Sequence, residues 1–162
     1  MRLGEALGRQ EEAAGLCRKM ALRLDRTDAR IENYAGRARP SVLFQVQEKP
    51  FMAAARGTFI SRLIARAGGE CAVAAQGNVF YPVLGREALA KLKPEVVLVS
   101  TMVPKTGREL PFRLSASSFP DVPELARSRI WLVEPDMYTR PSLNALDGLE
   151  QLVDILYPDK SF

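Results

Sequence analysis

The chain has 162 residues, of which 47% are hydrophobic and 26% charged, values that suit one globular domain with a proper core. Its formal net charge is +4 at pH 7, and it contains no histidine, which excludes His-based zinc or manganese sites and histidine-activated nucleophiles. No apolar run approaches the roughly 20 residues that span a bilayer, and no block of like charges or recognisable module indicates nucleic-acid binding.

The first predicted element is a long helix from Leu3 to about Ile31. Its apolar residues recur at steps of three, four or seven, and Cys17 falls in this pattern, so we expect a buried free thiol there. Gly36 and Pro40 then break the helix. We therefore assign residues 1–36 to an N-terminal helix and residues 37–162 to a single α/β lobe.

The remainder of the chain alternates predicted strands with predicted helices. The strands are expected at 41–46, 96–99 and 130–133; the helices are expected from Thr58 to a stop at Gly68, near 86–92, and from Pro141 to a stop at Pro158. This order predicts an α/β fold. We expect a three-layer α/β/α sandwich with a mostly parallel central sheet, preceded by the long N-terminal helix.

In such sheets, ligands meet the loops that follow the carboxyl ends of the strands. Here those loops are 47–56, 100–120 and 134–140. There is no Gly-rich phosphate loop, no dinucleotide-binding fingerprint and no pair of carboxylates arranged for acid–base chemistry. The sequence therefore favours a binding protein that is not an enzyme.

Five short segments, in this order, resemble one family of binding proteins. They are LGEALGRQEEAAGL, GTFISRLIARAGGE, NVFYPVLGRE, ALAKLKPEVVLVS and LDGLEQLVDILYPD, and the span from the first to the last covers most of the chain. They resemble the C-terminal lobe of the substrate-binding proteins of ABC importers for iron–siderophores, haem or cobalamin. The resemblance implies a protein of two lobes joined by a stiff helix, of which this length suits one lobe and the end of the helix.

The resemblance also implies a set of functional residues. The ligand-binding set is Phe51, Met52, Tyr81, Met137, Tyr138 and Arg140, in which the aromatic rings and methionines give apolar contact and Arg140 pairs with an oxyanion of the ligand. Glu87, five residues after Pro82, would pair with arginines of the membrane permease. The residues themselves leave other interpretations open: a Tyr81–Pro82 loop packed on its own domain, a core Phe51, and a Glu87 that stabilises a helix start. Arg140 is equally compatible with an exposed arginine beside a helix start that has no binding role.

The implied function is that of a solute-binding component of an ABC importer for a metal chelate. An iron–siderophore complex comes first, with haem or cobalamin as alternatives; no cofactor is expected beyond iron or cobalt inside the ligand. Expected partners are the permease and either a missing N-terminal lobe or a second copy of the chain as a homodimer. The resemblance places the protein in the periplasm or on the cell surface as a lipoprotein, with any signal upstream of Met1. The alternative is a stand-alone α/β interaction or regulatory domain that has lost transport.

Overall fold

The computed structural model describes residues 2–100, 110–115 and 123–158, with Glu124 described by its backbone only. The chain divides into two units, the first formed by residues 1–36 and the second by residues 37–162. Of the expected loop at 100–120, the structure describes only Ser100 and residues 110–115, so most of this prediction lies outside the described residues.

The first unit is a pair of helices, α1 (Arg2–Ala6) and α2 (Gln10–Glu32). The prediction of one unbroken helix is wrong, because Gly8 adopts a φ of +65°, a left-handed conformation that ends α1. Gly4 lies so close to Ala13 that a Cβ on it would overlap the alanine methyl, and this approach joins the two helices. Cys17 is an exposed free thiol and not a buried one, since helical periodicity defines a face but not what covers it.

The second unit contains six strands, four α-helices and a 3-10 helix among its described residues. In chain order they are β1 (Ser41–Gln47), β2 (Met52–Ala53), α3 (Phe59–Arg66), β3 (Glu70–Cys71), α4 (Arg86–Leu92), β4 (Val96–Ser100), β5 (Phe112–Leu114), the 3-10 helix (Pro123–Arg127), β6 (Arg129–Val133), α5 (Pro135–Thr139) and α6 (Asn144–Leu156). The strands predicted at 41–46, 96–99 and 130–133 are confirmed within a residue or two.

The strands form one sheet in the order β2-β1-β4-β6-β5, with β3 also paired to β1. The ladders β1–β4, β4–β6 and β1–β3 are parallel, whereas β2 and β5 pair antiparallel to their neighbours. The mostly parallel sheet expected from the sequence is thus confirmed. Its three central strands all end at the same edge, and the segments that follow β1 and β6 begin at this edge.

Helical elements cover both faces of the sheet. Leu43, Val97 and Ile130 are register partners on three adjacent strands, and they share a core cluster with Leu89 of α4 and Leu125 of the 3-10 helix. On the opposite face, Phe44 meets a residue of α5, and α3, α5 and α6 pack against one another. The expected α/β/α layering follows from this alternation along the strands.

Local signals set the ends of α3 as predicted. The Thr58 hydroxyl accepts a hydrogen bond from the Ser61 amide at 3.0 Å, and so satisfies a donor that the first helical turn leaves unpaired. Gly68 follows the helix with a φ of +87°, the left-handed stop that a glycine adopts without steric cost.

The last helix differs from its prediction. Pro135, and not Pro141, occupies the first turn of a helix, namely the short α5, and α6 begins only at Asn144. Arg140 is extended, with φ −122° and ψ 131°, because a residue that precedes proline is pushed out of the helical region. Leu143, which the predicted helix would have included, directly precedes α6 and is half exposed.

Candidate functional site

The candidate site lies at the edge of the sheet where β1, β4 and β6 end. The segment after β1 turns back as β2 and continues to Ala55, while the segment after β6 forms α5. Since β4 lies between β1 and β6 in the sheet, these two segments stand on either side of the central strand.

A second segment, residues 80–84, pairs with residues 51–55 through backbone hydrogen bonds. The amides of Ala53 and Ala55 donate to the carbonyls of Pro82 at 3.1 Å and Phe80 at 2.9 Å, and the Leu84 amide donates to the Phe51 carbonyl at 2.8 Å. Met52 and Val83 stand directly opposite each other in this antiparallel bridge. The pairing brings together two stretches of chain that are about thirty residues apart.

This pairing creates an exposed apolar surface, which we call the outer patch. Directly opposed residues share a face of a ladder, and residues two apart along a strand share it too. On this basis Met52, Val79, Tyr81 and Val83 share one face with Ala54, which is buried, and the outer patch consists of the half-buried Met52 and the exposed Val79, Tyr81 and Val83. Val79 is 50% exposed, Tyr81 44% and Val83 58%, and the stretch 71–85 contains no charged residue. An exposed apolar surface without charges is suited to contact with an apolar ligand or partner.

The other face of the same ladder packs on the core at Phe51, Pro82 and Leu84, whereas Phe80 at its end is 46% exposed. Pro82 and Leu84 are buried, and Phe51 packs against the core cluster that contains Leu43 and Leu89. Met52 and Tyr81, both predicted as ligand contacts, therefore lie together in the outer patch, whereas the Phe51 ring serves the core. Phe51 and Met52 lie on opposite faces of the ladder because neighbouring side chains along a strand alternate between its two faces.

The segment after β6 holds the three remaining residues that were predicted to bind ligand. Tyr138 is fully buried: its ring lies 5.7 Å from that of Phe44, and its hydroxyl donates to Gln151 Oε1 at 2.5 Å. Desolvation raises the pKa of the Tyr138 phenol. The expectation that this ring faces a ligand is wrong, because α5 places the ring in the core, against Phe44 of β1.

The neighbours of Tyr138 take different positions. Met137 is half-buried, with its backbone carbonyl close against Gly148 of α6, where a Cβ would overlap it. The Arg140 side chain is 74% exposed and lies 3.5 Å from Asp136, as measured from Nε to Oδ1. An exposed pair of this kind contributes little to stability, so the guanidinium is accessible to another anion.

Glu87 does not belong to either of the two segments at the edge of the sheet. It lies in the first turn of α4 and is exposed. Both meanings considered for it remain compatible with that position, a helix-stabilising acid and a docking residue. Val79 and Val83, which belong to the outer patch, were not among the residues predicted from the sequence to bind ligand. The signal that could have found them is the uncharged stretch 71–85 in a chain with 26% charged residues.

Two further observations bear on the chemistry of this unit. Cys71 is buried, and desolvation raises the pKa of its thiol, which makes it an inert core group near neutral pH. Across the described ranges, we find no group of three or more cysteine, aspartate or glutamate side chains placed to hold a metal ion. No helix in the part of the chain that the structure describes is long and apolar enough to cross a membrane.

Comparisons with known proteins agree with this architecture. The pattern of the periplasmic binding protein family matches residues 1–131. The chain is 23% identical over 158 residues to an uncharacterized ABC transporter substrate-binding lipoprotein, YvrC, of Bacillus subtilis (strain 168), covering 97% of this chain and 48% of that protein. It is 24% identical over 127 residues to a vitamin B12-binding protein of Vibrio campbellii (strain ATCC BAA-1116), covering 78% of this chain and 44% of that protein.

Among solved structures, a periplasmic heme-binding protein from Pseudomonas aeruginosa superimposes with a TM-score of 0.76 at 23% identity, over 98% of this chain and 57% of that one. The chain thus spans about half the length of the curated relatives it matches. The sheet order, the helices on both faces and the match over most of the sequence lead to one conclusion: this chain belongs to the periplasmic binding protein family.

Proposed function

We propose that this chain is part of the solute-binding component of an ABC importer for a metal chelate, and that it supplies the C-terminal lobe. Its activity is capture of the ligand and not catalysis, and it needs no cofactor of its own, since the chelate brings iron or cobalt. The family match and the names of the relatives support binding and transport. They also support a periplasmic or lipoprotein setting.

The observation that carries the proposal is the outer patch. A binding site for a small molecule is largely apolar, with a few polar groups that orient the ligand. The outer patch supplies apolar side chains and the polar tip of Tyr81, at the edge of the sheet where α/β proteins bind ligands. Arg140, on the other side of β4, supplies an accessible cation for a carboxylate or other oxyanion of the chelate.

The ligand is expected to be an iron–siderophore complex, with haem and cobalamin as the alternatives. One lobe covers only part of such a ligand, so we expect weak binding by this chain alone and tighter binding when a second lobe or a second copy closes the site. The partner of the loaded protein is the ABC permease, with Glu87 as a docking residue.

The experiment is a fluorescence titration that uses the single tryptophan and the four tyrosines of the chain. The probes are ferrichrome, ferric enterobactin, haemin and cyanocobalamin. We expect saturable quenching by one of them, weakened about tenfold by Tyr81→Ala, a loss typical of one good aromatic contact. Leu143→Ala is the matched control, because Leu143 is a 50% exposed apolar residue outside the outer patch. Equal effects of the two variants, or no quenching by any probe, would contradict the proposal.

A further inference from the structure

The turn formed by Arg56 and Gly57 connects the strand-like segment 51–55 to α3, and it contacts the uncharged stretch 71–85 at several points. The Arg56 amide donates to the Val73 carbonyl at 2.9 Å, and Arg56 Nε donates to the Cys71 carbonyl at 3.2 Å. One terminal nitrogen of the same guanidinium lies 2.6 Å from the Glu70 carboxylate. A single arginine therefore fixes the start of the stretch through both its backbone and its side chain.

Gly57 occupies a position that suits only glycine, for two separate reasons. Its φ of +96° is a conformation that residues with a side chain rarely adopt. A Cβ placed on it would also lie 3.0 Å from Cε1 of Phe80, which is tighter than ordinary van der Waals contact. The Phe80 ring thus lies directly over the Gly57 backbone, while the Gly57 amide donates to Ser61 Oγ at 3.0 Å.

Phe80 connects this turn to the outer patch. Its carbonyl accepts from Ala55, two residues before Gly57, while its ring rests on Gly57 itself. Tyr81 follows Phe80 directly in the chain, and Val83 lies two residues beyond Tyr81 on the same face of the ladder. The Phe80 ring is 46% exposed and free to rotate, but a displacement of the Phe80 backbone, whose carbonyl pairs with Ala55, moves Tyr81 with it.

We infer that Arg56 and Gly57 are positioning residues for ligand capture: they hold Phe80 in place and thereby orient Tyr81 and Val83. The inference rests on the proposed function, because it takes the outer patch as the surface that contacts the ligand. Neither residue needs to touch the ligand. Their contribution is preorganisation, which raises affinity by reducing the conformational freedom lost on binding.

The principal test is Gly57→Ala, read out by native-state amide hydrogen exchange and by the fluorescence titration with the same four probes. The added methyl group displaces Phe80, so we expect the Ala53 and Ala55 amides to exchange about tenfold faster, since opening of this ladder becomes easier. We expect the dissociation constant for the probe that binds to rise by about tenfold as well.

The matched control is Gly36→Ala. Gly36 has a φ of +86°, close to that of Gly57, but nothing lies within 4 Å of a Cβ placed on it. It therefore carries a similar backbone strain without displacing a neighbour. We expect Gly36→Ala to lower the free energy of unfolding and to leave both ladder exchange and probe affinity unchanged.

A second pair of variants tests the arginine. Arg56→Met keeps the aliphatic stem but removes the contacts to Cys71 and Glu70, and we expect it to change exchange and affinity in the same direction as Gly57→Ala. Arg62→Met, at an exposed position of α3, is its control and should change neither.

A double variant tests the contact between Gly57 and Phe80. Phe80→Ala removes the ring that the Gly57→Ala methyl group would contact. We therefore expect Phe80→Ala to accelerate ladder exchange less in the Gly57→Ala background than in the wild-type background.

The outcomes separate the inference from the function on which it rests. Unchanged exchange at Ala53 and Ala55 in Gly57→Ala overturns the inference, and so does faster exchange with unchanged affinity for a probe that the wild type binds. If no probe binds the wild-type chain, the proposed function fails, and the exchange data alone decide whether Gly57 holds the segment.

Discussion

At the scale of single residues, the same amino acid serves different purposes according to where the fold places it. Tyr81 and Tyr138 were both expected to face a ligand. Tyr81 is 44% exposed in the outer patch, whereas Tyr138 is fully buried against Phe44 and hydrogen-bonded to Gln151. A buried tyrosine needs a partner for its hydroxyl, and the short bond to Gln151 meets that need.

Tyr138→Phe tests this assignment. Removing the hydroxyl leaves the buried ring in place but takes away the donor to Gln151, so we expect the free energy of unfolding to fall by about 1 kcal/mol. Urea denaturation measures this loss, and affinity for the chelate should not change. Tyr81→Phe, which removes an exposed hydroxyl, is the control and should alter the free energy of unfolding by less than about 0.5 kcal/mol. Weaker chelate binding by Tyr138→Phe at unchanged stability would contradict the core assignment.

At the scale of elements, the ends of two helices differ in how well their residues suit the backbone conformation. The Thr58 cap and the Gly68 stop define α3 by favourable contacts. Helix α4 ends instead at Lys93, which has a φ of +43°, a left-handed conformation that costs a residue with a side chain about 1–2 kcal/mol. Among the described residues, Lys93 is the only non-glycine residue with a positive φ.

Lys93→Gly should therefore stabilise the protein. Relief of the left-handed strain exceeds the added freedom of glycine in the unfolded chain, and we expect a gain of about 0.5–1 kcal/mol in the free energy of unfolding. Lys91→Gly is the matched comparison, because Lys91 is an exposed lysine inside α4. Glycine there should cost about 1 kcal/mol. Thermal or urea unfolding measures both, and a loss of stability in Lys93→Gly would refute the argument.

At the scale of the whole molecule, the lobe presents two surfaces to which our proposal assigns different tasks, capture and docking. The outer patch lies at the edge of the sheet and is apolar, whereas Glu87 is an exposed carboxylate at the start of α4. Capture and docking are then separable, because the two surfaces contain different residues with different chemistry. The chain matches about half of each curated relative, so both tasks involve the remainder of a two-lobed protein in our proposal.

Glu87→Gln tests the separation. It removes the negative charge but keeps the size of the side chain, so we expect chelate uptake by cells that carry the protein and its permease to fall by about tenfold. The dissociation constant of the chelate should stay the same. Glu11→Gln, in the first turn of α2, is a control with the same helix-start position and should not affect uptake. Loss of uptake that is equal in both variants, or weakened chelate binding in Glu87→Gln, would argue against a docking role.

The sequence by itself determined the elements whose causes are local. The apolar run of β4 predicts a strand covered on both faces, and all of Val96–Val99 is buried. The cap at Thr58 and the stop at Gly68 are also as predicted, since each depends on the residue type and its immediate neighbours. Even the succession of strands and helices sufficed for the α/β class, because parallel strands need helical crossovers.

Only the tertiary structure decided which side chains meet. Met52 lies opposite Val83, and the Phe80 ring rests on Gly57, through a register between distant segments that no local pattern encodes. Burial of Tyr138 likewise depends on α5, which begins at Pro135 and packs against α3 and α6, segments that lie elsewhere in the chain. The periodicity of side chains assigns residues to the two faces of a strand or helix. Packing between distant segments then determines which of the two faces is exposed.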